Sequence, residues 1–200
     1  MASKVQIAKL ALQHIGDKYD ITSLSEATPE AEQVNLVFDD VRDMTLRAHP
    51  WKFAVKYSSP AALVAGPPDV VNWTYAFTYP ADCLKVLNIV NPLGRDKKPV
   101  PFEIANDASD NKVIMANEEE PTLRYIKQET DSEKYDPLFV MALSYRIAQY
   151  IAIPITGDRG MMNDMKQLAD EEIGKAAMES ANEGIEAAQT RDPDWITARS

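Results

Sequence analysis

The sequence predicts an α+β protein: a four-helix bundle with a small antiparallel β-unit inserted into it and an extended C-terminal tail. Three observations point there. Apolar residues recur at helical spacing over residues 3–49 and again over 138–177. Between these stretches the period falls to two, with aromatic and β-branched residues alternating with polar ones. Turn signals punctuate that middle third: Gly66-Pro67-Pro68, Asn91-Pro92-Leu93-Gly94 and the run from Ala116 to Pro121. The expected organisation is therefore residues 1–49 and 131–190 as the helical bundle, 50–130 as the β-rich insertion and 191–200 as the tail.

The first helix should begin after Ser3. Ser3 followed by Gln6 has the form of a capping box, in which each side chain satisfies an orphan backbone N–H. Val5, Ala8, Leu12 and Ile15 then line one face, and Gly16 suits the left-handed position past a helix end. The second helix should open with Thr28 as N-cap, Pro29 at the first position and Glu30 complementing the dipole. Its inner stripe reads Ala31, Val34, Phe38, Val41, Thr45 and Ala48, widened by Val37 and Met44. His49-Pro50 stops it.

Trp51, Phe53, Val55 and Tyr57 then alternate as a half-buried strand, as do Trp73, Tyr75, Phe77 and Tyr79. Shorter strands are expected at 84–90, 100–104, 112–116 and 122–127. Asp136-Pro137 opens a third helix, apolar nearly all round over 138–153 and expected to be central. At 16 residues, with Arg146 and Gln149 inside, it is short and polar for a membrane span. Pro154 should end it. After Thr156-Gly157-Asp158 comes a long helix with Met162, Met165, Leu168, Ala169, Ile173, Ala176 and Ala177 on one face. Gly174 and Gly184 each cost about 1 kcal/mol relative to alanine, softening its second half.

The 200 residues hold 21 Lys and Arg against 31 Asp and Glu, a net charge of −10. That field opposes tight binding of nucleic acid, which needs a basic surface to release counterions. One cysteine, Cys83, excludes an intrachain disulfide and fits a reducing compartment.

The constellations that carry chemistry are weak. Asp39, Asp40 and Asp43 are the most enzyme-like group, and Asp39 and Asp43 share a helix face that could hold a metal. Arg42 and Arg47 sit at ion-pairing distance along the same helix, however, and favour a solvated charged face. His14 and His49 lie near helix ends, where a structural role is expected. Cys83 reads as a small buried hydrophobe rather than a nucleophile. Gly157 and Gly160 match no phosphate-loop fingerprint and read as a helix–helix turn. Glu118-Glu119-Glu120 reads as a solvated hairpin tip or as an acidic rim facing DNA or a basic partner. Asp194-Trp195-Ile196 is the orphan: a tryptophan in a polar tail either folds back on its own domain or anchors in another subunit. No catalytic, cofactor or metal site follows from these residues.

Several stretches resemble the tail tubular protein A, or head-to-tail adaptor, family of short-tailed bacteriophages. They are Ala11-Leu12-Gln13-His14-Ile15-Gly16 with Ile21-Thr22-Ser23-Leu24-Ser25-Glu26; His49-Pro50-Trp51-Lys52-Phe53-Ala54; and the run from Phe77 through Pro80-Ala81-Asp82 to Val86. Leu123-Arg124-Tyr125-Ile126, Asp136-Pro137-Leu138-Phe139, residues 143–152 and Pro154-Ile155-Thr156-Gly157-Asp158 complete them. They follow in order over nearly the whole chain, and the tail around Trp195 matches least well. The resemblance implies a structural virion protein, not an enzyme and without cofactor. It implies a ring of twelve subunits between the portal protein and a tail nozzle like tail tubular protein B, with tail fibres near the junction. The location would be the virion tail, after assembly in the bacterial cytoplasm. DNA would pass without specific binding, and no membrane is involved. Twelve copies at −10 apiece amount to −120, which suits a channel wall from which phosphates slide freely. The rival readings are a metal-dependent enzyme built on Asp39, Asp43 and other bundle carboxylates, and a soluble monomeric binding module with a tail that folds on its target.

Overall fold

A computed structural model describes residues 2–93 and 99–182. Its helices are α1 (Lys4–His14), α2 (Pro29–Ala48), α3 (Pro137–Thr156) and α4 (Arg159–Asn182). The strands are β1 (Val55–Ser58), β2 (Tyr75–Thr78), β3 (Cys83–Val90), β4 (Phe102–Asn106), β5 (Lys112–Ala116) and β6 (Thr122–Lys127). The protein is thus mixed α+β, with helices at both ends of the described chain and strands between.

The helix starts form as the local chemistry dictates. Ser3 Oγ accepts from the Gln6 backbone N–H while Gln6 Oε1 accepts from the Ser3 N–H. Thr28 Oγ1 caps Ala31, and Asp136 Oδ1 caps Leu138. Gly16 has φ 77° and Gly157 has φ 70°, the left-handed conformation that closes a helix end.

Two helix details depart from expectation. In α2, Met44 and Ala48 are exposed, whereas Arg42 and Leu46 are buried. α2 also touches β3, and Trp51 folds back so that its indole bonds the Thr45 carbonyl, so the covered side rotates toward positions 42 and 46. In α3, Pro154 does not end the helix, which runs on to Thr156. Pro154 is exposed near the C-terminus, so the carbonyl deprived of its partner at Tyr150 can be solvated. Thr156 Oγ1 donates to the Ala152 carbonyl, and the Gly157 N–H donates to that of Ile153.

The middle third forms two three-stranded antiparallel sheets, ordered β1-β6-β3 and β2-β5-β4, rather than one. β5 and β6 keep their expected bounds. The stretch from Trp51 does not begin as a strand: Lys52–Ala54 is a 3₁₀ turn, closed by the Ala54 N–H donating to the Trp51 carbonyl, and β1 starts at Val55. The two sheets share a small core. Phe77, Ile114 and Ala116 from one meet Val86, Ile89, Leu123 and Tyr125 from the other.

The larger core belongs to the helices. α3 packs against α1, α2 and α4, and Phe139, Leu143, Ile147, Ala148 and Ile151 are completely buried along it. By length and composition α3 could cross a membrane, yet half of its most apolar window is buried inside the protein. Trp51, Ala54, Ile126 and Tyr135 join the same core, which ties the first sheet to the helices. Trp51, Phe53, Tyr135 and Phe139 interlock with ring centroids 4.9–6.3 Å apart, mostly edge to face.

Candidate functional site

The acidic group on α2 is an ion-pair network with a buried arginine at its centre. Arg42 is 3 % exposed. Its guanidinium donates to Asp39 and, at 2.8 Å, to Asp43 Oδ1. Asp39 also pairs with Lys4 at 3.4 Å, and Gln128 Nε2 donates to Asp43 Oδ2 at 2.6 Å. Burial works against the Arg42 charge; the hydrogen bond and charge of Asp43, then the charge of Asp39, outweigh it and raise its pKa. Arg47 does not join the group; it reaches the Leu84 carbonyl of β3 at 2.7 Å. The carboxylates are therefore committed to neighbouring cations and an amide. No group of three or more His, Cys, Asp or Glu side chains among the described residues could hold a metal ion.

A second network lies where β6 runs into α3. Glu129 is 4 % exposed and pairs with Lys127 and Lys134. Burial raises its pKa, but the Lys127 hydrogen bond, the Asp131 backbone N–H and the two lysine charges win, leaving it lowered. At the turn before β3, Asp82 accepts from Tyr125 Oη at 2.9 Å and from Lys56 Nζ at 2.8 Å.

Both histidines are packed into the structure. His14 stacks on Tyr145 at 4.0 Å, and its Nε2 lies 3.0 Å from Ser144 Oγ. His49 meets Trp51 edge to face at 5.2 Å. Burial lowers the pKa of both. Cys83 opens β3 half-buried, and burial pushes its thiol pKa up.

Glu118-Glu119-Glu120 is not a hairpin tip, because β5 and β6 belong to different sheets. It is the crossover between them, with Glu119 and Glu120 exposed. Asn117 pins its start: Oδ1 accepts from the Thr74 N–H and hydroxyl, and Nδ2 donates to the Asn72 carbonyl. Asp194, Trp195 and Ile196 lie outside the described residues.

The surface holds two features that periodicity did not reveal. The first is the connection from β1 to β2. Val64, Val70 and Val71 stand at least 75 % exposed, yet their backbone is well tied. Leu63 N–H donates to the Ala76 carbonyl, Thr78 N–H to that of Ala61, and Asp69 caps Val71 and Asn72. Trp73 Nε1 donates to Glu103 at 2.9 Å. These three valines are exposed apolar side chains on a backbone held by hydrogen bonds. The signal was present as an apolar run without period two around Gly66-Pro67-Pro68. On α2 and α3, Leu36, Met44, Tyr150 and Ile153 are exposed as well.

The second feature is a cleft of about 500 Å³ where the exit of α2, the start of α3 and the end of α4 meet. Trp51, Phe53 and Leu138 give it aromatic and apolar lining, while Ala176 and Glu179 come from α4. His49 Nε2 is shielded from solvent there and has no hydrogen-bond partner. No sequence pattern marks this cleft, since its residues come from three separate segments.

A scan against models of known protein families finds no match, and a search of curated proteins finds none either.

Proposed function

We propose that this protein is a head-to-tail adaptor: a subunit of a ring, dodecameric by resemblance, that joins a portal to a tail nozzle and lines part of the DNA ejection channel. The observation that carries this is where the resembling stretches fall. Four of them fall at turns of the fold, namely the α1 end at Gly16, the Trp51 turn after α2, the Pro80–Asp82 turn before β3 and the Gly157 turn between α3 and α4, while residues 123–126 and 143–152 lie inside β6 and α3. Resemblance at turns and at buried strand and helix segments is what a shared architecture requires, whatever surface residues drift.

In this reading the four helices form one bundle with α3 at its centre, and the bundles stand side by side in the ring wall. The two sheets project toward a neighbour or the nozzle. The pinned valine connection supplies an apolar contact of the heterologous kind that closes rings. The tail around Trp195 anchors on the portal, tail fibres gather near the junction, and the acidic crossover at Glu118–Glu120 faces the lumen or its rim. Net charge of −10 per subunit keeps DNA from adhering.

Electron microscopy of the protein mixed with its portal tests this. The expected image is a twelve-fold collar stacked on the portal. A portal that never recruits the protein, or turnover of a small molecule by the purified chain, would refute it.

A further inference from the structure

We infer that the exposed end of the sheet β1-β6-β3 receives α2 of a second copy of this chain, with the cations around Arg124 taking the carboxylates of Glu32 and Asp40. The inference needs only that copies meet, so it stands apart from the portal and the nozzle.

The accepting surface is built by strand register. Arg124 on β6 lies opposite Tyr57 of β1 and opposite Asn88 of β3, and residues opposite one another share a face. Ile126, two residues along β6, belongs to that face and is completely buried in the helical core. Tyr57, by contrast, is 55 % exposed, so the row around Arg124 stands where the helices no longer cover the sheet. Lys85, opposite Ile126 on the edge strand, is exposed as well. Arg47 adds a further cation beside it, since it donates to the Leu84 carbonyl at 2.7 Å. Arg124 Nε is buried without a hydrogen-bond partner. Among the described residues, the side chains of Arg124 and Lys85 make no hydrogen bond or ion pair. A shielded donor left unpaired costs free energy, and a guanidinium forks onto a carboxylate.

α2 carries the matching surface. Glu32, Leu36, Asp40 and Met44 recur every fourth residue, share one stripe and are all exposed. Asp39 and Asp43 are committed to Arg42, whereas the carboxylates of Glu32 and Asp40 have no partner among the described residues. Eight residues of helix set these two acids about 12 Å apart. Lys85 and Arg124 are diagonal neighbours roughly 7–8 Å apart at the backbone, and their long side chains span the difference. Leu36, between the acids, has the Tyr57 ring to cover. The two surfaces differ, so each copy gives α2 to one neighbour and its sheet to another. Nucleic acid fits less well, because its dense phosphates meet a chain of net charge −10.

Charge swaps in the full-length chain test the inference, with self-association followed by sedimentation velocity up to millimolar protein. Glu32→Lys with Asp40→Lys should weaken association at least about tenfold, although the chain becomes less negative and general repulsion falls. Lys85→Glu with Arg124→Glu should do the same, and all four changes together should restore association, because every copy again presents opposite charges. Arg124→Gln, which removes only the fork, should weaken it about fivefold at an unchanged urea midpoint and covers the case in which Arg124→Glu does not fold. A wild-type chain that stays monomeric, swaps without effect, or a fourfold variant that does not recover overturns the proposal. So does association lost on neutralising Glu118, Glu119 and Glu120 instead, or duplex DNA binding that Arg124→Gln abolishes. A portal that never recruits the protein would leave all these outcomes as they are.

Discussion

Replacing Trp51 with phenylalanine isolates one hydrogen bond at the joint between helices and sheets. Thr45 lies in the last turn of α2, where carbonyls lack intrahelical partners. His49 follows in an extended conformation, φ −143° and ψ 144°, so no left-handed cap closes the helix. Trp51 Nε1 does the capping instead, donating to the Thr45 carbonyl at 3.0 Å in a buried setting. Phenylalanine keeps a ring against Phe139, which Trp51 meets at 5.0 Å and 77°, but it has no N–H. Leaving the carbonyl buried and unpaired costs about 1–3 kcal/mol. The smaller ring adds about 1 kcal/mol for the void. The expected loss is about 2–4 kcal/mol, read as a lower urea midpoint at unchanged slope by far-UV circular dichroism. Trp73→Phe is the control. Trp73 is half-buried and its indole donates to Glu103 near the surface, so the loss there should stay under about 1 kcal/mol. If the two variants unfolded within about 0.5 kcal/mol of each other, the capping role of Trp51 would be wrong.

Two glycines should respond with opposite sign. Gly157→Ala places a side chain at φ 70° with free space around it, so backbone strain alone should cost about 1–2 kcal/mol, whereas Gly174→Ala inside α4 should stabilise by about 0.5–1 kcal/mol; thermal melts of both decide. Glu129 has a lowered pKa, so its stabilisation is present above the ordinary value of 4.5 and drains away as pH falls through the folded value; Glu129→Gln should flatten the stability profile between about pH 5 and 3, and an unchanged slope would exclude Glu129 as a contributor. His14 has a pKa lowered by burial, so stability should decline as pH drops below 6.5, and His14→Asn should weaken that decline in denaturant titrations across pH 5–7. Changing Val64, Val70 and Val71 together to serine should leave folding stability within about 0.5 kcal/mol per site yet abolish ring formation on a portal; rings of normal order would remove the connection from the contact surface.

Local chemistry by itself determined the element starts and most of the strands. Ser3 with Gln6, Thr28 with Pro29 and Asp136 with Pro137 act within one helical turn, so neighbouring residues suffice to specify them. The same holds for β5 and β6, short apolar-rich runs bounded by turn residues. Pro154 shows the limit: proline's cost depends on whether water or packing surrounds the freed carbonyl, which is a tertiary fact. Trp51 shows it again, because the alternation from Trp51 to Tyr57 suggested a strand while a hydrogen bond back to Thr45, six residues earlier, and burial in the helical core drew the chain into a turn. Arg42 became a buried cation in a setting where Gln128, far along the chain, bonds its partner Asp43. The division of six strands into two sheets, and the cleft that draws its lining from three separate segments, likewise arose from contacts distant in sequence. Such contacts leave no periodic trace, since which surfaces meet is settled by the summed burial of the whole chain rather than by any stretch of it.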